Sequence, residues 1–429
     1  MKKVIALMLA VFMLLSMAAC ASKSESSTPS SDASASTTTS TETSSTETSS
    51  DSSAESTSDA SVIKIGCPQP LTGTNALVGE SAMRGAELAV AEINAAGGVL
   101  GHQLELVEYD DQGSPEEAVK LATKLIEVDK VNWMSGSLIS SCMLAAGPYY
   151  EEAGIITMGT GTSSTWTNQG WKYVWRSSPN AGSVMPAMAQ YMKNLGINSI
   201  SIFQGQDDAS ASGAEDMRKA AKDAGIEVIT SETYVDGDTD FSGQAIKIVN
   251  SGADAVFTST YSVAQASFAK QLRQAGYKGI VFNKETLSVD NVAAAGDAAN
   301  YYAFIWPYVT YASLDEISDS DVRMKEMCES YYKMFNEMPY HDCCYRSYDS
   351  IYILKAAAEA AGSIESDAMN EALATINNFD GLAGTYDFTQ GDMGGIRDYT
   401  AWVIVDQKST KFDEWLASGG YDALMAEIG

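Results

Sequence analysis

The stretch VIKIGCPQPLTGTNALVGESAMRGAELAVAEINAAGGVLGHQLELVEYDDQGSPEEA, Val62–Ala118, decides the fold. Val62–Gly66 is a short β-rich run that breaks at the loop Pro68-Gln69-Pro70-Leu71-Thr72-Gly73. Met83, Ala86, Val90 and Ile93 then recur on one face of a helix, which Gly97-Gly98 ends. Leu104, Leu106 and Tyr109 read as a second strand, closed by Asp110-Asp111. Ser114-Pro115-Glu116-Glu117 starts the next helix with a capping Ser, a Pro at the first helical position and a capping-box Glu. Strand, helix, strand and helix at this spacing imply a parallel sheet covered on both faces.

Outward from this unit the pattern continues, with strands near Val131–Met134 and Ile155–Met158. It restarts after Ser177 with strands at Ser199–Phe203, Ile226–Thr230, Ala255–Thr258 and Gly279–Phe282, separated by helical segments. Two such runs predict two doubly wound parallel-sheet lobes of an α/β protein. Long helices follow at roughly Asp321–Asn336 and Cys343–Ala361, and short strands near Tyr386–Phe388 and Ala401–Val405 close the chain.

The full chain has 429 residues, with 27 Lys and Arg against 56 Asp and Glu, a net charge of −29. A surface that acidic repels phosphate backbones, so no nucleic-acid partner is expected. Two histidines and no Cys-x-x-Cys argue against a dedicated metal site, and no cofactor is expected. The chain lacks a Gly-x-Ser-x-Gly elbow, a His-Glu-x-x-His pair and a Walker-type loop, so no enzymatic activity is expected. His102 and His341 are read as surface residues, and the cysteines beyond Cys20 as buried, reduced thiols.

Lys2-Lys3, the apolar run Val4–Leu15 and the small residues after it read as an export signal too short to span a membrane. Met17-Ala18-Ala19-Cys20 resembles a bacterial lipoprotein box, which implies a lipidated Cys20 after removal of residues 1–20 and an anchor on the outer face of the cell membrane. In Ala21–Ser61, 27 of 41 residues are Ser or Thr and none is aromatic, Val, Ile or Leu. Such a segment buries too little apolar surface to offset its ordering entropy and is expected to be a disordered stalk.

In open α/β sheets, ligands bind beyond the carboxyl ends of the strands. Hydroxyl-rich loops stand at such ends: Leu71-Thr72-Gly73, Gly136–Ser141, Gly159–Ser163 and Ser259-Thr260-Tyr261. Ser and Thr hydroxyls beside helix N-termini suit a carboxylate.

These residues resemble the leucine/isoleucine/valine-binding proteins, type 1 periplasmic binding proteins that serve ABC transporters. The resemblance rests on Ile63–Gly66, Pro70–Gly73, Gly85–Ala89 and Ile93–Gly98, then on Tyr109–Asp111, Gly161–Ser163, Gly170, Tyr173-Val174 and Arg176. It implies two lobes joined by a three-segment hinge, with lobe 1 at 62–182 and 309–383 and lobe 2 at 183–308 and 384–429. It further implies that Ser140 and Thr162 hold a ligand's α-carboxylate and α-ammonium, with Ser141 beside them and Thr160 contacting the ligand through its backbone carbonyl. Tyr261 and Glu285 would then close over the ammonium, while Val78 stands where relatives shape the side-chain pocket with Tyr. The expected role is the substrate-binding component of an importer. It would capture a small amino acid and pass it to an ABC permease of the branched-chain amino acid type, as a monomer. A sensory lipoprotein of the same fold, or a carrier of a small amide, peptide or aromatic ligand, remains an alternative.

Overall fold

The computed structural model describes residues 62–428 apart from 261, 392, 393 and 397. The signal, Cys20 and the stalk lie outside the described residues, as does Tyr261.

The first half contains β1 (Ile63–Gln69), α1 (Ala76–Ala95), β2 (Leu104–Asp110), α2 (Pro115–Lys124), β3 (Trp133–Gly136), α3 (Ser140–Ala153), β4 (Thr157–Gly159) and β5 (Val174–Arg176). Its strands form one parallel sheet in the order β2-β1-β3-β4-β5. Alternation along β3 sends Trp133 into the core with Ile63, Ile65 and Leu88, while Met134 joins Leu125 and Met143 on the opposite face. The expected capping Ser does its work: the Ser114 hydroxyl accepts the Glu117 amide at 3.4 Å.

The second half begins with α4 (Ala181–Asn194) and continues through β6 (Ser199–Gly205), α5 (Asp208–Ala224), β7 (Glu227–Tyr234) and α6 (Ser242–Ser251). It then runs through β8 (Ala255–Ser259), α7 (Ser262–Gln274), β9 (Val281–Asn283), α8 (Val289–Ala295) and β10 (Tyr302–Trp306). The chain returns to the first sheet with α9 (Val322–Phe335), α10 (Cys343–Ala361) and α11 (Ser366–Leu373). Helices α1 and α10 pack closely enough that a Cβ on Gly85 would lie 2.1 Å from the Cys344 carbonyl oxygen. A hairpin, β11 (Phe379–Gly381) and β12 (Gly384–Tyr386), leads back to β13 (Thr400–Val405), β14 (Lys408–Lys411), α12 (Phe412–Ala417) and α13 (Gly420–Ile428).

The second sheet has the order β14-β13-β10-β9-β8-β6-β7. Its pairs from β7 to β10 are parallel, but β13 joins β10, and β14 joins β13, antiparallel. The doubly wound parallel core matches the expectation, and an antiparallel pair of strands extends it at one end. The short β13–β14 turn returns the chain directly, with no crossover helix. Along β6, Ile202 faces a cluster with Met185 and Met217, and Phe203 faces a stack with Tyr234 and Phe268. No helix among the described residues is long and apolar enough to cross a membrane.

Candidate functional site

The carboxyl ends of β3 and β4 carry the hydroxyl-rich loops side by side. Helix α3 begins at Ser140 behind Ile139, whose side chain cannot accept a hydrogen bond from the first-turn amides, while its carbonyl accepts the Met143 amide at 3.0 Å. The Ser140 hydroxyl is buried and accepts the Ser163 amide at 3.2 Å. The Thr160 hydroxyl donates to the Gly136 carbonyl at 3.2 Å, clamping the two loops together. Gly161 is required between them, because a Cβ there would lie 2.6 Å from the Ser140 hydroxyl. Thr162 is buried, and its carbonyl accepts the Ala181 amide at the head of α4, at 3.1 Å.

Arg176, at the end of β5, shapes this loop from behind. Its guanidinium donates to the carbonyls of Gly161 at 2.8 Å, Pro179 at 3.3 Å and Ser163, and lies 4.3 Å above the Trp166 ring. Arg346, on α10, approaches from the other side. Its Nη1 donates to the Thr160 carbonyl at 2.9 Å and its Nη2 to Asp342 at 2.9 Å. Asp342 also meets His341 Nδ1 at 2.7 Å and the Trp306 indole at 3.0 Å. Burial works against the Asp342 charge, but Arg346 and His341 outweigh it and hold the carboxyl well below its usual range. Burial likewise disfavours the His341 cation, yet the Asp342 carboxylate raises its pKa to about 10. His341 is therefore an interior, charged residue, which corrects its reading as a surface side chain. Its neighbour in sequence supplies the counter-charge that lets it be buried.

From the second sheet, the end of β9 contributes Lys284 and Glu285. Lys284 is 0% exposed, with Nζ 3.2 Å from Glu285 Oε1 and 3.2 Å from the Ala209 carbonyl. Its stem packs over Gly213, where a Cβ would come within 2.3 Å of Lys284 Cδ. The two halves also touch through hydroxyl–carboxylate contacts. The Thr165 hydroxyl donates to Asp208 at 2.8 Å and the Ser164 hydroxyl to Asp216 at 3.3 Å. Beside these contacts lies a cavity of about 70 Å³, bounded by Asn75, Gly113, Ile139, Ser140 and Ser141 on one side and by Ala209 and three carboxylates, Asp207, Asp208 and Asp236, on the other.

The structure thus brings Ser140 and Ser141 to the cavity, holds Thr160 and Thr162 in the neighbouring loop after β4, and places Glu285 on the opposing half; none of these last three lines the cavity. Val78 is not brought to the cavity. It lies in the core with Ala82, Cys142 and Tyr150, and its carbonyl accepts the Cys343 thiol at 3.0 Å. The thiols of Cys67, Cys142, Cys328, Cys343 and Cys344 are free and buried. Sequence reasoning missed Lys284, Asp342 and Arg346. An Asp and an Arg one helical turn apart, in a segment otherwise rich in Cys, Tyr and Ile, was the available signal for the last two.

Residues 62–409 match the protein family described as periplasmic binding protein. The leucine-, isoleucine-, valine-, threonine- and alanine-binding protein of Pseudomonas aeruginosa is 27% identical over 347 residues, covering 80% of this chain and 90% of the relative. The branched-chain amino acid transporter substrate binding protein of Streptococcus pneumoniae, solved with isoleucine, superposes with a TM-score of 0.71 at 25% identity, covering 81% of this chain and 97% of that one. A leucine binding protein of Thermotoga maritima superposes with a TM-score of 0.72 at 24% identity, covering 82% and 97%.

Proposed function

Because the chain belongs to the periplasmic binding protein family, we propose that it is the extracytoplasmic substrate-binding component of an ABC importer. It captures a small carboxylate-bearing ligand, of amino-acid size, between its two lobes. The lobes are 62–182 with 309–383, and 183–308 with 384–429. Closure about the three crossovers between them traps the ligand and presents it to a permease of the branched-chain amino acid type. Cys20, lipidated, and the stalk 21–61 tether a monomer to the outer face of the cell membrane.

One observation carries the ligand-binding part of this reading. The first turn of α3, with Ser140 and Ser141, faces a cavity whose far wall comes from the other sheet. Amides at a helix N-terminus and a buried hydroxyl are the donors that a desolvated carboxylate requires. The named relatives support a ligand of amino-acid size. Site roles for Ser140 and Ser141 are supported by this placement, and those of Thr160, Thr162 and Glu285 by the family resemblance alone.

A thermal-shift screen of the purified protein tests the proposal, with amino acids, 2-oxo acids and small amides as probes. A ligand at about 100 times its dissociation constant adds about 2.7 kcal/mol of stability. Stabilisation by a carboxylate, and none by its amide, is expected. A panel in which only amides or amines stabilise would refute the reading.

A further inference from the structure

The loop after β4 is held to the first half at one residue and reaches across to the second half at the next two. Ser163 is the fixed point: its amide donates to the Ser140 hydroxyl at 3.2 Å, and its carbonyl accepts the Arg176 guanidinium. The Thr165 hydroxyl donates to Asp208 at 2.8 Å. The Ser164 hydroxyl lies 3.3 Å from Asp216 Oδ2 and 3.4 Å from the Ser212 hydroxyl. Asp208, Ser212 and Asp216 recur every four residues along α5, so a single face of that helix receives both side chains. The Ser163 hydroxyl, 2.8 Å from that of Thr165, steadies the reaching group.

Contacts of this kind suit a joint that opens and shuts. None of Ser164, Thr165, Asp208, Ser212 and Asp216 is fully buried. Water replaces each partner when the halves part, so breaking one of these bonds costs only its small net contribution. An apolar seam would instead resist opening in proportion to the area it exposes. The joint is also tied to the ligand position. The Ser140 hydroxyl at the cavity accepts from Ser163 and keeps its own proton to donate, and Asp208 lines the cavity from the other side.

We propose that Ser164 and Thr165, with Asp208, Ser212 and Asp216 on α5, form a clasp that engages when the halves close and sets how long a captured ligand stays. This rests on the closure reading above and names the contact that secures it. The clasp acts on departure. It forms only once the halves have met, so it slows release and leaves arrival unchanged.

Two variants of the purified protein test this. Ser164→Cys with Ser212→Cys puts two thiols where the hydroxyls lie 3.4 Å apart. Oxidised and without ligand, this protein is expected to have a smaller radius of gyration by X-ray scattering than its reduced form, because the cross-link holds the clasp shut. Equal radii for the two forms, or no cross-linked peptide after oxidation, overturn the inference. The probe for the second variant is alanine, valine, leucine or pyruvate, whichever stabilises the wild type most. If that probe contracts the wild-type protein while the two cross-link forms scatter alike, closure stands and only the clasp fails. Ser164→Ala with Thr165→Val deletes the reaching hydroxyls. The probe should leave this variant about tenfold faster in stopped flow, with its association rate and the ligand-free urea midpoint unchanged. A lower ligand-free midpoint with unchanged release would mark a permanent structural contact and overturn the proposal. If none of the four probes stabilises the wild type, the cross-link experiment decides alone.

Discussion

The Tyr386 hydroxyl lies 2.8 Å from Oδ2 of Asp349, a pairing that ties β12 to α10 inside the protein. The same hydroxyl lies 3.0 Å from the Ser177 carbonyl, in the segment that leads from β5 to α4. Asp349 also accepts the Leu382 and Ala383 amides at 2.8 and 3.0 Å. One buried carboxylate thus organises two of the crossovers between the sheets. Burial pushes its pKa up to about 6, with the three donors acting in the opposite direction.

Tyr386→Phe removes one of those donors and leaves the ring packing in place. A stability loss of about 1–2 kcal/mol is expected, the cost of one hydrogen bond to a buried charged group. Urea unfolding of variant and wild type measures it. A midpoint unchanged by the substitution would mean that the hydroxyl contributes nothing to the crossovers.

Asp111 gives a pH dependence with a definite sign. Burial raises its carboxyl to about 6 from 3.8, only partly offset by hydrogen bonds from Ser137 and the Gly113 amide. The folded state therefore binds more protons than the unfolded state between these two values. Stability falls as pH rises through that window, and the penalty is complete above pH of about 6. Asp111→Asn removes it. Relative to wild type, the variant should gain on the order of 2 kcal/mol between pH of about 4 and 7. Parallel stability profiles for the two proteins would show that the carboxyl titrates normally.

Glu285→Gln leaves the Lys284 ammonium, 0% exposed, without its counter-charge. Removing one partner of a buried pair costs about 3–5 kcal/mol. The double substitution Lys284→Met with Glu285→Gln should recover most of that loss, because it removes the stranded cation as well. Thermal unfolding of the single and double variants supplies the comparison. A double variant as unstable as Glu285→Gln alone would contradict the pairing.

Cys20→Ser should move the protein from the membrane fraction to the soluble fraction, or leave its signal uncleaved. Fractionation and mass spectrometry of the N-terminus distinguish these outcomes. A processed Cys20→Ser protein that still sediments with membranes would rule out a lipid anchor.

Much of the architecture was legible because it is local. The spacing of Met83, Ala86, Val90 and Ile93 and the Ser114 cap announce their helices without any distant contact, and both helices are present. The direction of β13 was not legible, since alternation in Thr400–Val405 marks a strand but not its partner. The strand expected at Tyr386–Phe388 ends instead at Tyr386, where the hydroxyl turns to Asp349. At the site, the hydroxyl loops could be read from their positions after strands. The cations could not, because Arg346 reaches Thr160 across 186 residues and Lys284 looks like any surface lysine until the fold buries it. His341 was misjudged for the same reason, since polarity alone does not reveal a buried partner.

The most direct test of carboxylate capture at the head of α3 is a calorimetric titration of the most strongly stabilising acid from the thermal-shift panel and of its methyl ester. The ester differs by one added methyl group and the loss of the charge that Ser140 and Ser141, at the head of α3, stand to receive. Losing a desolvated, hydrogen-bonded charge costs about 2–5 kcal/mol, so the ester should bind at least about thirtyfold more weakly. An ester that binds as tightly as the acid would contradict the account.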